Sequence, residues 1–341
     1  MRQTTAALLA LTATVALALS ACSSESTPSA SGSAASGKLA LTVRIISGGS
    51  ESFSDAAVHK ATALLDAEGV QVSSSTVADP ATALRAVIAG QADIALLDPV
   101  EAVKAVANGD APVKYIGSLS QTTDYVILSL PKYSLENLSG ATFATAGAGT
   151  AGDVIASSAL SESKVDMTKV QKVTVGGTSA RVTAILSGQV GLAPVHAADA
   201  VPAVATGKVL GSYLQQGMIA SDTFIKDKAT TQAVVNAFID GQRWASANES
   251  QYIATATANK LLGSLTADQA TVAYQQLKDS KIFATNGAIC TKSVTDTLTH
   301  DYQVASGGLT KATTPAYSKW VDPTFVNAYL KANGKDKEGF C

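Results

Sequence analysis

The sequence predicts an α/β fold of two similar lobes, each with a mainly parallel sheet. Three observations carry this reading. Strand-like and helical stretches alternate from Leu41 onward, the same alternation returns from Thr142, and a twelve-residue stretch recurs in both halves.

In the first half, Leu41–Ile46 is an apolar run with the character of a buried strand. Gly48-Gly49-Ser50-Glu51-Ser52 follows, and then a helical stretch over Ser54–Glu68 ended by Gly69. Val70–Val77 reads as the second strand. Asp79-Pro80 is a cap and first-turn pair opening a helix that ends at Gly90. Ile94–Leu97 is a short apolar strand, and Asp98-Pro99 opens another helix. Val113–Ser120 and Tyr125–Leu130 read as strands around Gln121-Thr122-Thr123-Asp124, a natural crossing point between lobes.

In the second half, Thr142–Ala146 is a strand, Gly147–Gly152 a turn, and a helix runs to about Ser163. Lys172–Val175 is a strand and Ser179–Ser187 a helix. Leu84–Ala95 aligns with Val182–Ala193, each an apolar helix, a Gly-Gln pair and a short strand. The glycine suits a left-handed residue after the helix. In this register Asp98 corresponds to His196. Val209–Leu214 reads as a further strand. Beyond Lys226 the chain is mostly helical, with Ala229–Ala247 the clearest helix; its Val234, Val235, Phe238 and Trp244 share an apolar face and belong to a core.

Composition narrows the function classes. The chain has 341 residues, 46% hydrophobic and 15% charged, which suits two domains with real cores. Its 25 Lys+Arg against 27 Asp+Glu give a net charge of −2, so there is no electrostatic footprint for nucleic acid. Three cysteines and three histidines, with no CxxC or HExxH, leave little for zinc or thiol chemistry, and no metal or cofactor is expected.

The N-terminus reads as an address. Arg2 precedes the apolar run Ala6–Leu19, too short and wrongly flanked for a membrane span. It ends in Leu19-Ser20-Ala21-Cys22, which resembles the bacterial lipobox, whose cysteine is acylated and becomes the new N-terminus; the alternative is an ordinary signal peptide and a chance cysteine. Ser23–Gly37 is almost wholly Ser, Ala, Gly, Thr and Pro and reads as a tether. The remaining cysteines, Cys290 and Cys341, are expected to pair in an oxidising compartment, two free thiols being the alternative. The bridge would contribute roughly 4 kcal/mol in the chain-entropy model.

The lipobox, the Gly48–Ser52 turn, Gly90-Gln91-Ala92-Asp93, the Leu135–Gly140 stretch and Ser187-Gly188-Gln189-Val190, in that order, resemble substrate-binding proteins of ABC importers. The closest group is the aliphatic-sulfonate, nitrate and taurine type, which shares its fold with thiamine-pyrimidine binding proteins. The resemblance covers about Lys38–Trp244. It implies a two-lobed periplasmic-binding-protein-like fold (type II), two doubly wound sheets joined by two hinge strands. Residues 1–21 would be the signal peptide, 22–37 the tether, 38–121 the first part of lobe one, 122–212 lobe two, and 213–341 the return to lobe one plus C-terminal helices. Gly191 departs from the acidic residue common at the end of the second Gly-Gln element.

Ligands of open α/β sheets bind beyond the carboxyl ends of the strands. That rule selects Gly48–Phe53 and Leu97–Pro99 in lobe one, and Gly147–Gly152 and Pro194–His196 in lobe two. With the crossing point added, the expected ligand-binding residues are Ser50, Glu51, Ser52, Phe53, Asp98, Thr122, Thr123, Gly149, Thr150 and His196. Amides at the glycine-rich helix starts and the hydroxyls of Ser50, Ser52 and Thr150 could hold an anion. Each loop could equally be a simple turn, and Asp98 a helix cap. These loops contain no Arg or Lys, while Glu51, Asp98 and Asp124 are acidic, so a neutral polar or cationic solute fits at least as well.

The expected function is capture of a small polar solute outside the membrane and its delivery to an ABC permease and its ATPase, by a monomer lipid-anchored to the outer face of the bacterial cell membrane. The alternatives are a ligand-sensing lipoprotein acting through a partner and a pyrimidine-synthase-like enzyme. The last would need a cysteine-rich iron-binding motif that the sequence lacks, so no catalytic residue is expected.

Overall fold

The computed structural model describes residues 41–341, except residues 50, 78, 135, 136, 139, 149, 201–204, 209–215 and 298–312. Cys22, the tether, Ser50, Gly149 and the strand expected over Val209–Leu214 lie outside the described residues.

The strands are β1 (Leu41–Gly48), β2 (Val70–Val77), β3 (Ile94–Leu97), β4 (Val113–Ser118), β5 (Tyr125–Ser129), β6 (Thr142–Thr145), β7 (Gln171–Thr174), β8 (Leu192–His196), β9 (Ala205–Lys208) and β10 (Gly217–Ser221). They form two five-stranded sheets, ordered β2-β1-β3-β10-β4 and β7-β6-β8-β5-β9. The orders are equivalent. In the first sheet β1 pairs in parallel with β2 and β3, and β10 lies antiparallel to β3 and β4. In the second, β6 pairs in parallel with β7 and β8, and β5 lies antiparallel to β8 and β9. The chain crosses to the second sheet after β4 and returns as β10, so each sheet contains one strand from beyond a crossing. This is the two-lobed fold.

The helices are α1 (Ala56–Ala67), α2 (Pro80–Ile88), α3 (Pro99–Gly109), α4 (Ala151–Glu162), α5 (Thr178–Leu186), α6 (Ala197–Ala200), α7 (Asp222–Ile225), α8 (Lys228–Ala247), α9 (Glu249–Ala258), α10 (Ala267–Asp279) and α11 (Thr291–Thr297), followed by two more at Tyr317–Trp320 and Thr324–Asn333. Asp79 caps α2 as its sequence suggests, accepting from the amides of Ala81 and Thr82 at 3.2 and 3.1 Å. Gly90 and Gly188 both have positive φ, +70° and +76°, the left-handed turn expected after α2 and α5. One boundary differs: Gly152 lies inside α4, where a Cβ would stand 3.5 Å from the rings of Pro194 and Tyr125. A strand not expected from the sequence, β10, follows the undescribed residues 209–215.

The repeat is broken at one informative pair. Asp93 takes three hydrogen bonds from Arg44: the backbone amide and Nε reach Oδ2 at 2.8 and 3.1 Å, and Nη2 reaches Oδ1 at 2.6 Å. Strand pairing sets Ile45 opposite Ile94 and Phe143 opposite Leu192, so Thr142 occupies the place of Arg44 and Gly191 that of Asp93. A Cβ on Gly191 would lie 2.7 Å from the Tyr133 ring and 3.2 Å from the Thr142 amide. The acid at the end of the first Gly-Gln element is thus an arginine partner on β1. In the second, close packing against Tyr133 and Thr142 leaves no room for that side chain.

The lobes are in contact. Val154 of α4 is fully buried with the first-lobe core around Leu97, Val100 and Leu119. Ala198 of α6 packs in a second cluster with Phe53, Tyr252 and Leu277. Helix α8 buries Val234, Val235 and Phe238, as its apolar face predicts. It lies so close to α1 that a Cβ on Gly241 would come 2.7 Å from the Ala57 carbonyl. Cys290 and Cys341 are bonded, with Cα atoms 5.8 Å apart.

Candidate functional site

Asp98 and His196 occupy equivalent places, at the carboxyl ends of β3 and β8. Asp98 stands at the N-cap position of α3, yet its carboxylate makes no capping bond, unlike Asp79 before the equivalent Pro80 of α2. His196 is half-buried and its Nδ1 lies 2.8 Å from Asp124 Oδ1. Tyr125 stacks on the imidazole with ring centroids 4.6 Å apart.

These groups sense charges from both lobes. Burial pushes the His196 pKa down, but the charge and hydrogen bond of Asp124 oppose it and Asp199 adds to them; the pKa is pushed up to about 9. Burial holds Asp98 well above the usual carboxylate range, with Glu101 adding and Lys104 and His196 opposing. Burial also raises Asp55, against hydrogen bonds from Ser52 and the charge of His196. Asp199 is raised by burial and by Asp124, against His196 and Arg181. Asp55 and Asp98 come from the first lobe, Asp124 from the crossing segment, and Asp199 and His196 from the second.

Two of the side chains expected to offer donors to an anion, Ser52 and Thr150, bond within the protein. Asp55 accepts from the Ser52 amide at 2.7 Å and from its hydroxyl at 3.1 Å, so the chain's own carboxylate occupies that helix start. Thr150 Oγ1 donates back to the Gly147 carbonyl at 2.8 Å. Arg181 is buried beside the second-lobe loops, with Nε donating to the Pro194 carbonyl at 2.9 Å and Nη2 to Thr178 Oγ1 at 3.0 Å. Burial lowers its pKa. Glu51 is exposed and lies 3.4 Å from His59.

The remaining expected contacts have structural work. Phe53 is 1% exposed and meets Tyr252 edge-on at 5.2 Å, while the Tyr252 hydroxyl donates to the Phe53 carbonyl at 2.8 Å. Thr122 Oγ1 donates to the Ser280 carbonyl at 2.6 Å, and Thr123 Oγ1 accepts from the Tyr125 amide at 3.1 Å. Sequence reasoning missed Asp55, Tyr125, Arg181 and Asp199 as members of this cluster. Asp199 stands three residues after His196 and could have been found from that spacing; Arg181 carried no signal, its counterpart in the repeat being Ala83. Among the described residues no group of three or more His, Cys, Asp or Glu is arranged to hold a metal ion.

The family model described as NMT1/THI5 like matches residues 60–251, more than half the chain and the part that carries β3, β8 and the crossing segment. The chain belongs to the NMT1/THI5-like family. The sequence matches no curated protein. Among solved structures, a protein of Bordetella bronchiseptica is similar at TM-score 0.72 and 18% identity, covering 86% of this chain and 98% of that one. The zinc-bound ligand binding component of an ABC-type import system from Staphylococcus aureus is similar at TM-score 0.68 and 13% identity, over 86% of this chain and 100% of that one. The periplasmic aliphatic sulphonate binding protein of Escherichia coli is similar at TM-score 0.63 and 16% identity, over 83% and 92%. At these identities the likeness shows the fold, the two-lobed one of periplasmic binding proteins, in this NMT1/THI5-like chain.

Proposed function

We propose that this NMT1/THI5-like protein is the extracytoplasmic solute-binding component of an ABC importer, closing its lobes on a small polar solute that carries a protonated nitrogen. The observation that carries the ligand class is the convergence of Asp55, Asp98, Asp124 and Asp199 from both sides of the lobe boundary on the single histidine His196. His196 and Arg181 offset part of that charge. The hydroxyls of Ser52 and Thr150, which an anion would need, are turned to the protein's own acceptors. A protonated amine or amidine would give Asp98 the charge-assisted partner that it lacks in the fold. The ligand reading thus departs from that of the sulphonate-binding neighbour.

On this reading the solute is bordered by Asp98 and His196, with Glu51 and Thr150 on the rim; Ser50 and Gly149 lie outside the described residues. Delivery goes to a permease and its ATPase. Acylation of Cys22 holds the protein at the outer face of the membrane, residues 22–37 serve as tether, and the Cys290–Cys341 bond forms after export. The protein acts as a monomer with no catalytic step; lobe one spans 38–121 and the return 213–341, lobe two 122–212.

Mass spectrometry of solute retained through purification tests the reading, followed by thermal shift with matched panels of small amines and sulfonates. A ligand at a hundred times its Kd stabilises by about 2.7 kcal/mol. Stabilisation by sulfonates and not by amines would overturn the ligand class.

A further inference from the structure

We infer that the C-terminal segment Asp336–Cys341 is a strap that locks the first-lobe side of the hinge and confines lobe movement to a pivot at Thr123–Asp124. Its consequence for solute binding rests on the function proposed above; its geometry does not.

The crossing segment that follows β4 is held on two sides. The amides of Leu119 and Ser120 donate to the Gln216 carbonyl at 2.8 and 3.3 Å, and the Gln216 amide returns to Ser120 Oγ at 3.0 Å. On the other side the Ser118 amide donates to the Gly287 carbonyl at 2.8 Å and the Gln121 amide to the Ile282 carbonyl at 2.8 Å. Thr122 is tied to Ser280. All of these last partners belong to the helical C-terminal part. Two residues later the bonds change sides. The Asp124 carbonyl accepts from the Ala197 amide at 2.9 Å, and its carboxylate holds His196, both in the second lobe. Relative motion of the lobes must therefore be absorbed between Thr122 and Asp124 on this strand.

The strap grips the last fixed residue before that point. The Gln121 side chain is buried at 1% exposure; its Nε2 donates to the Glu338 carbonyl at 2.9 Å and its Oε1 accepts from the Phe340 amide at 2.8 Å. Asn286 clamps the strap from below: the Asp336 amide donates to its Oδ1 at 2.8 Å, and its Nδ2 donates to the carbonyls of Asp336 and Gly339 at 3.0 Å each. A Cβ on Gly339 would come 2.4 Å from Asn286 Nδ2 and 2.7 Å from Thr285 Oγ1, so this approach requires glycine. Cys341 then bonds Cys290, which closes the strap over the hinge support. Six residues with no regular secondary structure thus satisfy a buried amide side chain in the hinge and are fastened covalently at their far end.

Amide hydrogen exchange of the solute-free protein tests this. Cys341→Ser frees the fastened end, and Gly339→Ala lifts the strap from Asn286; neither alters the crossing segment. A dithiol reductant added to the folded parent frees the end without refolding. Each treatment should speed exchange at Leu119 and Gln121 at least tenfold and leave Val234 and Val235 of α8 at parental rates. Unchanged exchange at Leu119 and Gln121 in all three samples overturns the proposal, and so does a rise of equal size in α8, which would make the strap a general stabiliser. Because no solute is present, failure to find an amine ligand leaves this result standing, and failure of the strap leaves the solute reading standing.

Discussion

Asp124→Asn keeps the shape of the side chain that holds His196 and removes its charge. In the folded protein His196 titrates at about 9, against 6.5 for the free side chain. At about 1.4 kcal/mol per pH unit, the difference is worth about 3 kcal/mol of folding stability. The folded pKa is the higher one, so this contribution is fully present below pH 6.5 and is lost as the pH rises through 9. Without the Asp124 charge, burial, the largest single influence on His196, has its main opponent removed, and the titration should move down by more than one pH unit. The sequence has three histidines, so their Hε1 resonances can be followed individually by NMR. Urea denaturation of parent and variant at pH 6 and pH 10 gives the linked energies. The parent should lose at least about 1.4 kcal/mol more than the variant between these pH values. If no histidine of the parent titrates above pH 8, or both proteins lose the same stability, the charge pair is not what holds His196.

The remaining predictions concern the ligand, the repeat and the anchor. Asp98→Asn removes the carboxylate proposed to meet a protonated nitrogen; by isothermal titration calorimetry it should weaken amine binding by about 1.5–3 kcal/mol without lowering the thermal midpoint, since a buried charge is removed as well. Because burial raises Asp98, amine affinity in the parent should fall on acidification at a pH above the usual carboxylate range. Gly191→Asp, which restores the acid of the first repeat, should destabilise by about 1–3 kcal/mol in urea melts, because its Cβ meets Tyr133 and Thr142 and no arginine stands opposite; parental stability would refute the packing argument. Cys22→Ser should move the protein from the membrane fraction to the soluble one, and unchanged retention would refute acylation there.

Most of the fold was legible because its signals are local. Asp79-Pro80 caps α2 wherever α2 packs, and the glycines at 90 and 188 end their helices by backbone geometry alone. The strand β10 was not legible. Gly217–Ser221 is short, the apolar run at Val209–Leu214 competes with it, and its status depends on antiparallel pairing with β3 and β4. The site was half legible. Strand ends and the repeat pointed to Asp98 and His196, and these fall in one cluster with carboxylates of both lobes. Thr122 and Thr123, expected to meet solute, bond within the crossing segment and its support, Thr122 to Ser280 and Thr123 to Tyr125. Asp55 was invisible because it lies just inside a helical turn, where an acid reads as an ordinary first-turn residue, whereas Asp199 carried the signal of its spacing from His196.

The two lobes share a plan, and the site arises where the plan is broken. Pairing sets Val126 opposite Val195 in one lobe and Gly217 opposite Leu97 in the other, so Tyr125 and Gln216 hold equivalent places beside His196 and Asp98. In the second lobe that place and its predecessor supply an aromatic face and a carboxylate, and His196 is stacked and bonded by the protein itself. In the first lobe the place supplies Gln216, whose backbone is committed to Leu119 and Ser120 at the hinge. The Asp98 carboxylate therefore stays without a capping bond at the start of α3. A buried carboxylate in that condition is costly, and a cationic partner arriving from solvent relieves the cost only when the lobes meet. On the proposed reading, the asymmetry makes one group of the pair a fixed part of the wall and leaves the other to the solute, which would tie ligand charge to lobe closure through a single side chain.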